Sequence, residues 1–140
     1  MKKKRNIFEH KNKLASSLFK EWDADVTLMS RKILIIDDEL DICLLLSGYL
    51  KKAGYDAVYT TTIQSGIELA KQIKPFTIFL DHNLPDGLGI PYINKFKELQ
   101  SEVYIISALS NLKDEAFKNG ADHFFEKPLS LASIKKVLEK

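Results

Sequence analysis

The sequence predicts an α/β domain, a doubly wound parallel sheet with helices on both faces. Short apolar runs alternate five times with amphipathic helical patterns between residues 31 and 140. Strands that alternate with helices are expected to lie parallel, because right-handed crossovers return each strand in the same direction. The first run, "ILII" at 33–36, is continuous rather than alternating, which is typical of a strand covered on both faces.

Each element follows from its own pattern. The predicted strands are 33–36, 57–60, 76–80, 103–106 and 123–125. The first predicted helix ends at Gly54, and its apolar face is formed by Ile42, Leu45, Leu46, Tyr49 and Leu50. The second ends before Pro75, and its apolar face is formed by Ile63, Ile67, Ala70 and Ile73. The third follows a Gly- and Pro-rich loop and has an apolar face of Tyr92, Ile93, Phe96 and Leu99, and the last predicted helix has one of Leu131, Ile134, Val137 and Leu138. A short polar helix at 113–118 precedes Gly120.

Composition narrows the class of protein. With 140 residues, 45% hydrophobic and 29% charged, the chain has the size and composition of one globular domain. Residues 31–140 carry 14 basic and 15 acidic side chains, so they show no concentrated basic face of the kind that binds nucleic acid. The single cysteine, Cys43, has apolar neighbours and is expected to pack as a small hydrophobe. The sequence shows no membrane span or signal peptide, and we expect a cytoplasmic protein.

Residues 1–30 form a basic N-terminal extension with 7 basic and 4 acidic side chains. Two interpretations stay open. One is a short amphipathic helix that carries Ile7, Leu14, Leu18, Phe19 and Trp22, and the other is a disordered tail. Met29 offers an alternative translation start before "SRKILIIDDE". The predicted domain itself spans 31–140.

Polar side chains collect where the predicted strands end, namely Asp37, Asp38, Glu39, Asp81, Ser107 and Lys127. Parallel strands end at one edge of a sheet, where ligands bind. Carboxylates packed together raise one another's pKa or require a cation, and Mg²⁺ prefers oxygen ligands. An aspartate can itself become phosphorylated, while a lysine and a serine suit the oxygens of a phosphoryl group.

Four motifs carry a resemblance to a known family. They are "ILIIDDE", "FLDHNLPDGLG", "IISA" and "GADHFFEKP", and in this order over residues 31–140 they resemble the receiver domain of two-component response regulators. The resemblance implies a five-stranded parallel sheet of flavodoxin-like order 2-1-3-4-5. It also implies a phosphoacceptor signalling domain, and not an enzyme beyond self-phosphorylation and self-dephosphorylation.

The resemblance assigns a role to each matching position. Asp81 corresponds to the phosphoacceptor. The implied Mg²⁺ ligands are Asp37, Asp38, Asp81 and the backbone carbonyl of Asn83.

The same resemblance assigns the remaining motif positions. Ser107 and Lys127 correspond to the residues that contact the phosphoryl group, and Phe124 corresponds to an aromatic switch that moves with Ser107. The Lys127–Pro128 peptide is expected to be cis, as family members usually have it. Leu109 occupies a position that influences dephosphorylation, and the stretch from Ser107 to Gly120 is about two residues shorter than is usual for receivers.

The resemblance also implies partners. A histidine kinase or a histidine phosphotransfer protein is expected to donate the phosphoryl group, and a downstream effector protein to bind the fourth helix, strand five and last helix. We expect no DNA-binding domain and no transmembrane segment in these 140 residues. Whether the chain is a terminal output module or a phosphorelay intermediate stays open.

Two other functions are alternatives to the receiver role. A phosphohydrolase with an aspartyl nucleophile typically needs an acid two residues after the nucleophile, where this chain has Asn83. A receiver-like module that takes no phosphate is the other alternative. His10, His82 and His123 are expected to be ordinary histidines, because Mg²⁺ prefers oxygen. Glu39 is expected to be an ordinary first-turn acid, and Asp86 and Gly87 to provide turn chemistry.

Overall fold

We describe residues 31–139 of the chain from a computed structural model. The strands of its main sheet are β1 (Lys32–Ile36), β2 (Asp56–Thr60), β3 (Thr77–Asp81), β4 (Glu102–Ser107) and β5 (His123–Glu126). They lie in the order β2-β1-β3-β4-β5, and every neighbouring pair is parallel. The predicted fold and strand order are confirmed. The predictions for residues 1–30, including His10 and Met29, lie outside the described range.

Five helices connect or follow the strands. They are α1 (Leu40–Lys52), α2 (Ile63–Ile73), α3 (Ile93–Lys97), α4 (Lys113–Lys118) and α5 (Leu131–Leu138). Short 3₁₀ turns at Ile90–Tyr92 and Ser110–Leu112 precede α3 and α4. After β3 the chain forms a small antiparallel hairpin of Asn83–Leu84 with Gly87–Leu88. None of the five helices has the length and hydropathy needed to cross a membrane.

The continuous apolar strands divide their side chains between two cores. In β1, Leu34 and Ile36 face one cluster, which includes buried residues of α2, α3 and α4, whereas Ile33 and Ile35 face the other, which includes α1 and α5. Successive side chains of a strand point to opposite faces of the sheet. An apolar residue is therefore needed at every position, which explains why the run does not alternate with polar residues.

Two predicted core positions are wrong. Leu45 is 48% exposed, because the buried positions of α1 are spaced i, i+3, i+4 and i+7 and this spacing excludes residue 45; they are Cys43, Leu46, Ser47 and Leu50. Tyr92 is 36% exposed, because it belongs to the 3₁₀ turn before α3 and not to the helix. Of the other three apolar residues predicted for this helix face, Ile93 and Phe96 are fully buried and Leu99 is half-buried.

Helix α2 packs closely against β1 at Gly66. A Cβ atom at this position would clash with Cδ1 of Ile36 and lie 3.0 Å from its Cγ1. Ile36 is fully buried, so its side chain has little room to move away. Gly48 in α1 differs, since a Cβ atom there has no other heavy atom within 4 Å.

These two glycines provide a matched pair of substitutions. We expect Gly66→Ala to lower the free energy of unfolding by about 1–3 kcal/mol because it overpacks the core. Gly48→Ala is expected to raise it by about 0.5–1 kcal/mol, since alanine is the better helix former. Urea unfolding followed by circular dichroism measures both, and a Gly66→Ala variant as stable as Gly48→Ala would contradict the close packing.

Candidate functional site

The chain leaves β1 through two adjacent carboxylates with different environments. Asp37 is fully buried and Asp38 is exposed. The Asp37 backbone amide donates to the carbonyl oxygen of Thr60 at 3.1 Å, and Asp37 Oδ1 accepts from the amide of Glu39 at 2.8 Å. The turn between β1 and α1 is therefore held from both sides.

The third carboxylate is the last residue of β3. Asp81 is 3% exposed and lies in register with Ile106 of β4. Carboxylate oxygens of Asp37, Asp38 and Asp81 all lie within 4.8 Å of one another. The structure thus brings together the three acids that the sequence predicted to meet at one edge of the sheet.

An ammonium group lies among these carboxylates. Lys127 Nζ is 3.0 Å from Asp37 Oδ2, 3.5 Å from Asp81 Oδ2 and 2.6 Å from Glu39 Oε1. Burial favours the neutral amine, but the hydrogen bonds to Glu39 and Asp37 and the charges of Asp81 and Asp37 outweigh it and raise the pKa of Lys127. Lys127 is therefore a cation that offsets part of the repulsion between the acids.

Glu39 is not the ordinary first-turn acid that the sequence suggested. It precedes α1 as the N-cap residue with an extended backbone, and its side chain pairs with Lys127. Its side chain is 59% exposed, so this pair alone contributes little to stability. The Glu39 carboxylate therefore contacts the ammonium group of Lys127 from the solvent-exposed side of the site.

Ser107 and Lys127 lie on neighbouring strand ends. The Lys127 amide donates to the Ser107 carbonyl at 2.8 Å, and the Lys127–Pro128 peptide is cis. Ser107 is 4% exposed, and its Oγ accepts from the amide of Leu109 at 3.0 Å. The Leu109 side chain is 51% exposed and lines the same cleft as Ser107 and Lys127.

Asp81 is the carboxylate whose protonation is most perturbed. Burial, followed by the charge of Asp37, raises the pKa of Asp81 to about 7, although Lys127 acts in the opposite direction. Near neutral pH, and without a further cation, Asp81 therefore exists as a mixture of acid and carboxylate. A cation beside it would favour the carboxylate.

The residues present fit a divalent cation. Three carboxylate oxygens converge, and within residues 31–139 the buried Asp37 Oδ2 is paired with the ammonium group of Lys127, 3.0 Å away, which neutralises the three acids only in part. Hard oxygen ligands, partly open to water, match the preference of Mg²⁺. Asn83 lines the same cleft as Asp38 and Asp81, and its amide lies 3.4 Å from Asp81 Oδ1.

Two residues have structural roles that the sequence did not reveal. His82 is 8% exposed rather than an ordinary loop residue, and its Nδ1 accepts from the amide of Ile90 at 3.3 Å. Burial lowers the pKa of His82, against the charge of Glu115. Asp86 does more than form a turn, since its carboxylate accepts from the amides of Ile63 at 2.8 Å and Gln64 at 3.0 Å.

Hydrogen bonds from Gln64 and Ile63 lower the pKa of Asp86. An aspartate in "LPDG" is an ordinary turn residue by its local pattern, and its helix partner is 23 residues earlier in the chain. No local sequence signal predicts this contact. For His82, the only local signal is its position directly after an apolar strand.

Phe124 and His123 lie in β5, away from the carboxylates. Phe124 is half-buried and packs against the core cluster that includes α2, α3 and α4. His123 is also half-buried and packs edge-on against the ring of Tyr104, with 4.9 Å between ring centroids. The structure therefore places Phe124 beside the core and His123 against an aromatic neighbour rather than in the cleft.

The chain is similar in sequence and in structure to known proteins. The response regulator receiver domain family matches residues 33–139. The transcriptional regulatory protein YxdJ of Bacillus subtilis is 34% identical over 116 residues, which cover 78% of this chain and 51% of YxdJ. The chain thus spans about half the length of that relative.

Two shorter proteins match over nearly their full length. The chemotaxis protein CheY of Thermotoga maritima is 28% identical over 80% of this chain and 98% of CheY. A two-component response regulator from Clostridium difficile superposes with a TM-score of 0.72 at 27% identity, over 79% of this chain and 98% of that structure. The sheet order, the acidic strand ends and these matches together lead to one conclusion: the chain belongs to the response regulator receiver domain family, whose members accept a phosphoryl group in two-component signalling.

Proposed function

We propose that Asp81 accepts a phosphoryl group from the phosphohistidine of a histidine kinase or a histidine phosphotransfer protein. The observation that carries the proposal is the convergence of three carboxylates and one ammonium group on a cleft that also contains Ser107. Asp37, Asp38, Asp81 and the backbone carbonyl of Asn83 are the proposed ligands of Mg²⁺.

The transfer is a displacement at phosphorus. A carboxylate oxygen of Asp81 forms the new P–O bond, the P–N bond of the donor breaks, and the electron pair leaves with the imidazole, which takes up a proton. Asp37, Asp38, Asp81 and the carbonyl of Asn83 would hold Mg²⁺, which would supply positive charge to the phosphoryl oxygens and to these acids. Lys127 lies 3.5 Å from Asp81 and pairs with a second phosphoryl oxygen, while the hydroxyl of Ser107 donates to a third.

The attack requires Asp81 as a carboxylate. Because burial and Asp37 raise its pKa to about 7, protonation competes with attack at neutral pH. Lys127 acts against this protonation, and a bound cation adds to its effect.

The output of the domain is proposed to pass through α4, β5 and α5. Phosphorylation adds charge and acceptor oxygens next to Ser107, and movement of Ser107 together with Phe124 would shift the equilibrium of this surface. Phe117 of α4 is 42% exposed and available to an effector protein. A phosphorelay step, in which Asp81 passes the group to another histidine, uses the same chemistry.

We also propose that the domain acts in signalling and that any catalysis is limited to its own phosphorylation and dephosphorylation. Asn83 in place of an acid two residues after Asp81 speaks against a phosphohydrolase. A cytoplasmic location is supported by Cys43, which is a buried free thiol.

Phosphorylation of Asp81 is directly measurable. With acetyl phosphate and Mg²⁺, we expect the intact mass to rise by one phosphoryl group, and we expect no rise for Asp81→Asn or when EDTA removes the metal. Asp56→Asn, which changes an acid that is 53% exposed at the start of β2, serves as the control and is expected to behave like the wild type. A mass gain that survives in Asp81→Asn would contradict the assignment.

The raised pKa of Asp81 predicts a pH-dependent stability difference. Between pH 3.8 and about 7 the unfolded chain ionises Asp81 while the folded chain keeps it protonated, so ionisation at higher pH destabilises the folded state. We therefore expect Asp81→Asn, with EDTA present, to be more stable than the wild type by roughly 1–3 kcal/mol at pH 8 and by less at pH 4.5. Urea unfolding at both pH values measures this, and an advantage that does not change with pH would show that ionisation is not its cause.

Leu109 is predicted to lengthen the lifetime of the phosphoryl group. Its exposed apolar side chain lines the cleft and limits the approach of water. We expect Leu109→Glu to speed hydrolysis roughly threefold or more, below the ~10²-fold of a well-placed general base. Leu109→Gln separates loss of shielding from gain of a carboxylate. Decay of the phosphorylated mass gives the rates, and a Leu109→Glu variant that decays no faster would contradict the role.

A further inference from the structure

We propose that Asp86 is a positioning residue for the metal site, because it fastens the hairpin that follows Asp81 to the start of α2. This inference rests on the proposed function, in which Asn83 of the hairpin contributes a carbonyl to Mg²⁺. Asp86 itself is exposed and acts through the backbone it holds.

The contact between Asp86 and α2 is bidentate. Oδ1 accepts from the amide of Ile63 at 2.8 Å and Oδ2 from the amide of Gln64 at 3.0 Å. Amides in the first turn of a helix have no partner within the helix. The side chain of the N-cap residue Thr62 accepts from the amide of Ser65, and the Thr62 carbonyl oxygen accepts from the amide of Gly66. Asp86 therefore supplies acceptors for the two amides that precede these, those of Ile63 and Gln64. A charged acceptor strengthens both hydrogen bonds.

The small antiparallel hairpin connects Asp86 to Asn83. Asn83 pairs with Leu88 and Leu84 with Gly87, so Asp86 lies in the turn that joins two paired segments. Gly87 has φ of +150°, a value that L side chains rarely adopt, and it allows the turn to form.

The hairpin is also held by packing. Leu84 is 9% exposed and belongs to the same core cluster as Ile63, the first residue of α2. The side of the hairpin that carries Asn83 is therefore fixed by a buried leucine and by the Asp86 contact at the turn. Displacing Asp86 removes the tie between the turn and α2. The packing of Leu84 and the backbone bonds at the base of the hairpin, such as that from the Gly89 amide to the His82 carbonyl oxygen at 2.7 Å, remain.

The start of α2 is connected to the other acidic loop as well. The Ser65 hydroxyl contacts the hydroxyls of Thr60 and Thr62, and the Thr60 carbonyl accepts from the amide of Asp37 at 3.1 Å. The same helix end thus supports the loop of Asp37 and, through Asp86, the loop of Asn83. Relative placement of the two sets of proposed ligands depends on this shared support.

Asp86→Ala and Asp86→Asn test the inference on the full chain. Mg²⁺ affinity is measured from amide chemical shifts during titration with MgCl₂, and hydrogen exchange of the Ile63 and Gln64 amides reports the contact itself. We expect Asp86→Ala to weaken Mg²⁺ binding about 3- to 10-fold, at or below the 10- to 100-fold loss typical of groups that orient metal ligands. Both amides are expected to exchange faster.

Asp86→Asn keeps an oxygen acceptor, so it is expected to retain part of the affinity. Asp41→Asn is the charge control, because it removes an exposed acid from the first turn of α1. We expect this control to change Mg²⁺ affinity less than twofold. The two Asp86 variants together distinguish loss of a contact from loss of a charge.

Three results would overturn the inference. One is faster exchange or a lower melting temperature in Asp86→Ala with unchanged Mg²⁺ affinity, which indicates stabilisation of α2 alone. Another is equal weakening in Asp86→Asn, Asp86→Ala and Asp41→Asn, which indicates charge alone. If Asp86→Ala does not fold, unchanged Mg²⁺ affinity in Asp86→Asn would also overturn the inference.

Failure of the wild type to bind Mg²⁺ would refute the proposed function itself. This result is distinct from failure of the Asp86 role, in which the wild type binds Mg²⁺ and the Asp86 variants bind it equally well.

Discussion

The ammonium group of Lys127 is the interaction on which the site depends. It lies within 3.5 Å of Asp37 and Asp81, two buried acids from different strands, and it joins the end of β5 to the ends of β1 and β3. Two like charges about 4 Å apart repel by about 1 kcal/mol in water and about 4 kcal/mol at the effective dielectric near a protein surface. Lys127 offsets part of this repulsion, and the raised pKa of Asp81 shows that repulsion and burial still exceed the compensation.

This residual imbalance connects stability with function. A carboxylate that is costly to ionise in the folded protein responds strongly to any added cation and to replacement of its charge by a phosphoryl group. The two apolar clusters keep the strands fixed on either side of the sheet, so the strand ends cannot separate to relieve the repulsion. The fold therefore holds the acids in place, and the ligands are expected to stabilise them.

Much of this arrangement follows from the sequence. A continuous apolar run predicts a buried parallel strand, and acids directly after two such runs must meet because parallel strands end at one edge. The long-range polar contacts do not follow. Glu39 and Lys127 are 88 positions apart, and Asp86 caps a helix that begins 23 positions earlier, so neither contact has a local pattern. The exposure of Leu45 does not follow from the sequence either, because Leu45 is apolar and adjacent to the buried Leu46, and the pattern does not show which of the two faces the core.

The most direct test of the central claim is thermal unfolding as a function of Mg²⁺ concentration, for the wild type and for Asp81→Asn. A ligand that binds only the folded state stabilises it by about 2.7 kcal/mol at a hundredfold excess over Kd. If the buried acids form a cation site that Lys127 neutralises only in part, the melting temperature of the wild type is expected to rise with Mg²⁺ concentration, as ligand binding to the folded state alone requires. The melting temperature of Asp81→Asn is expected to rise much less. A wild type that does not respond to Mg²⁺, or an equal rise in both proteins, would contradict the account.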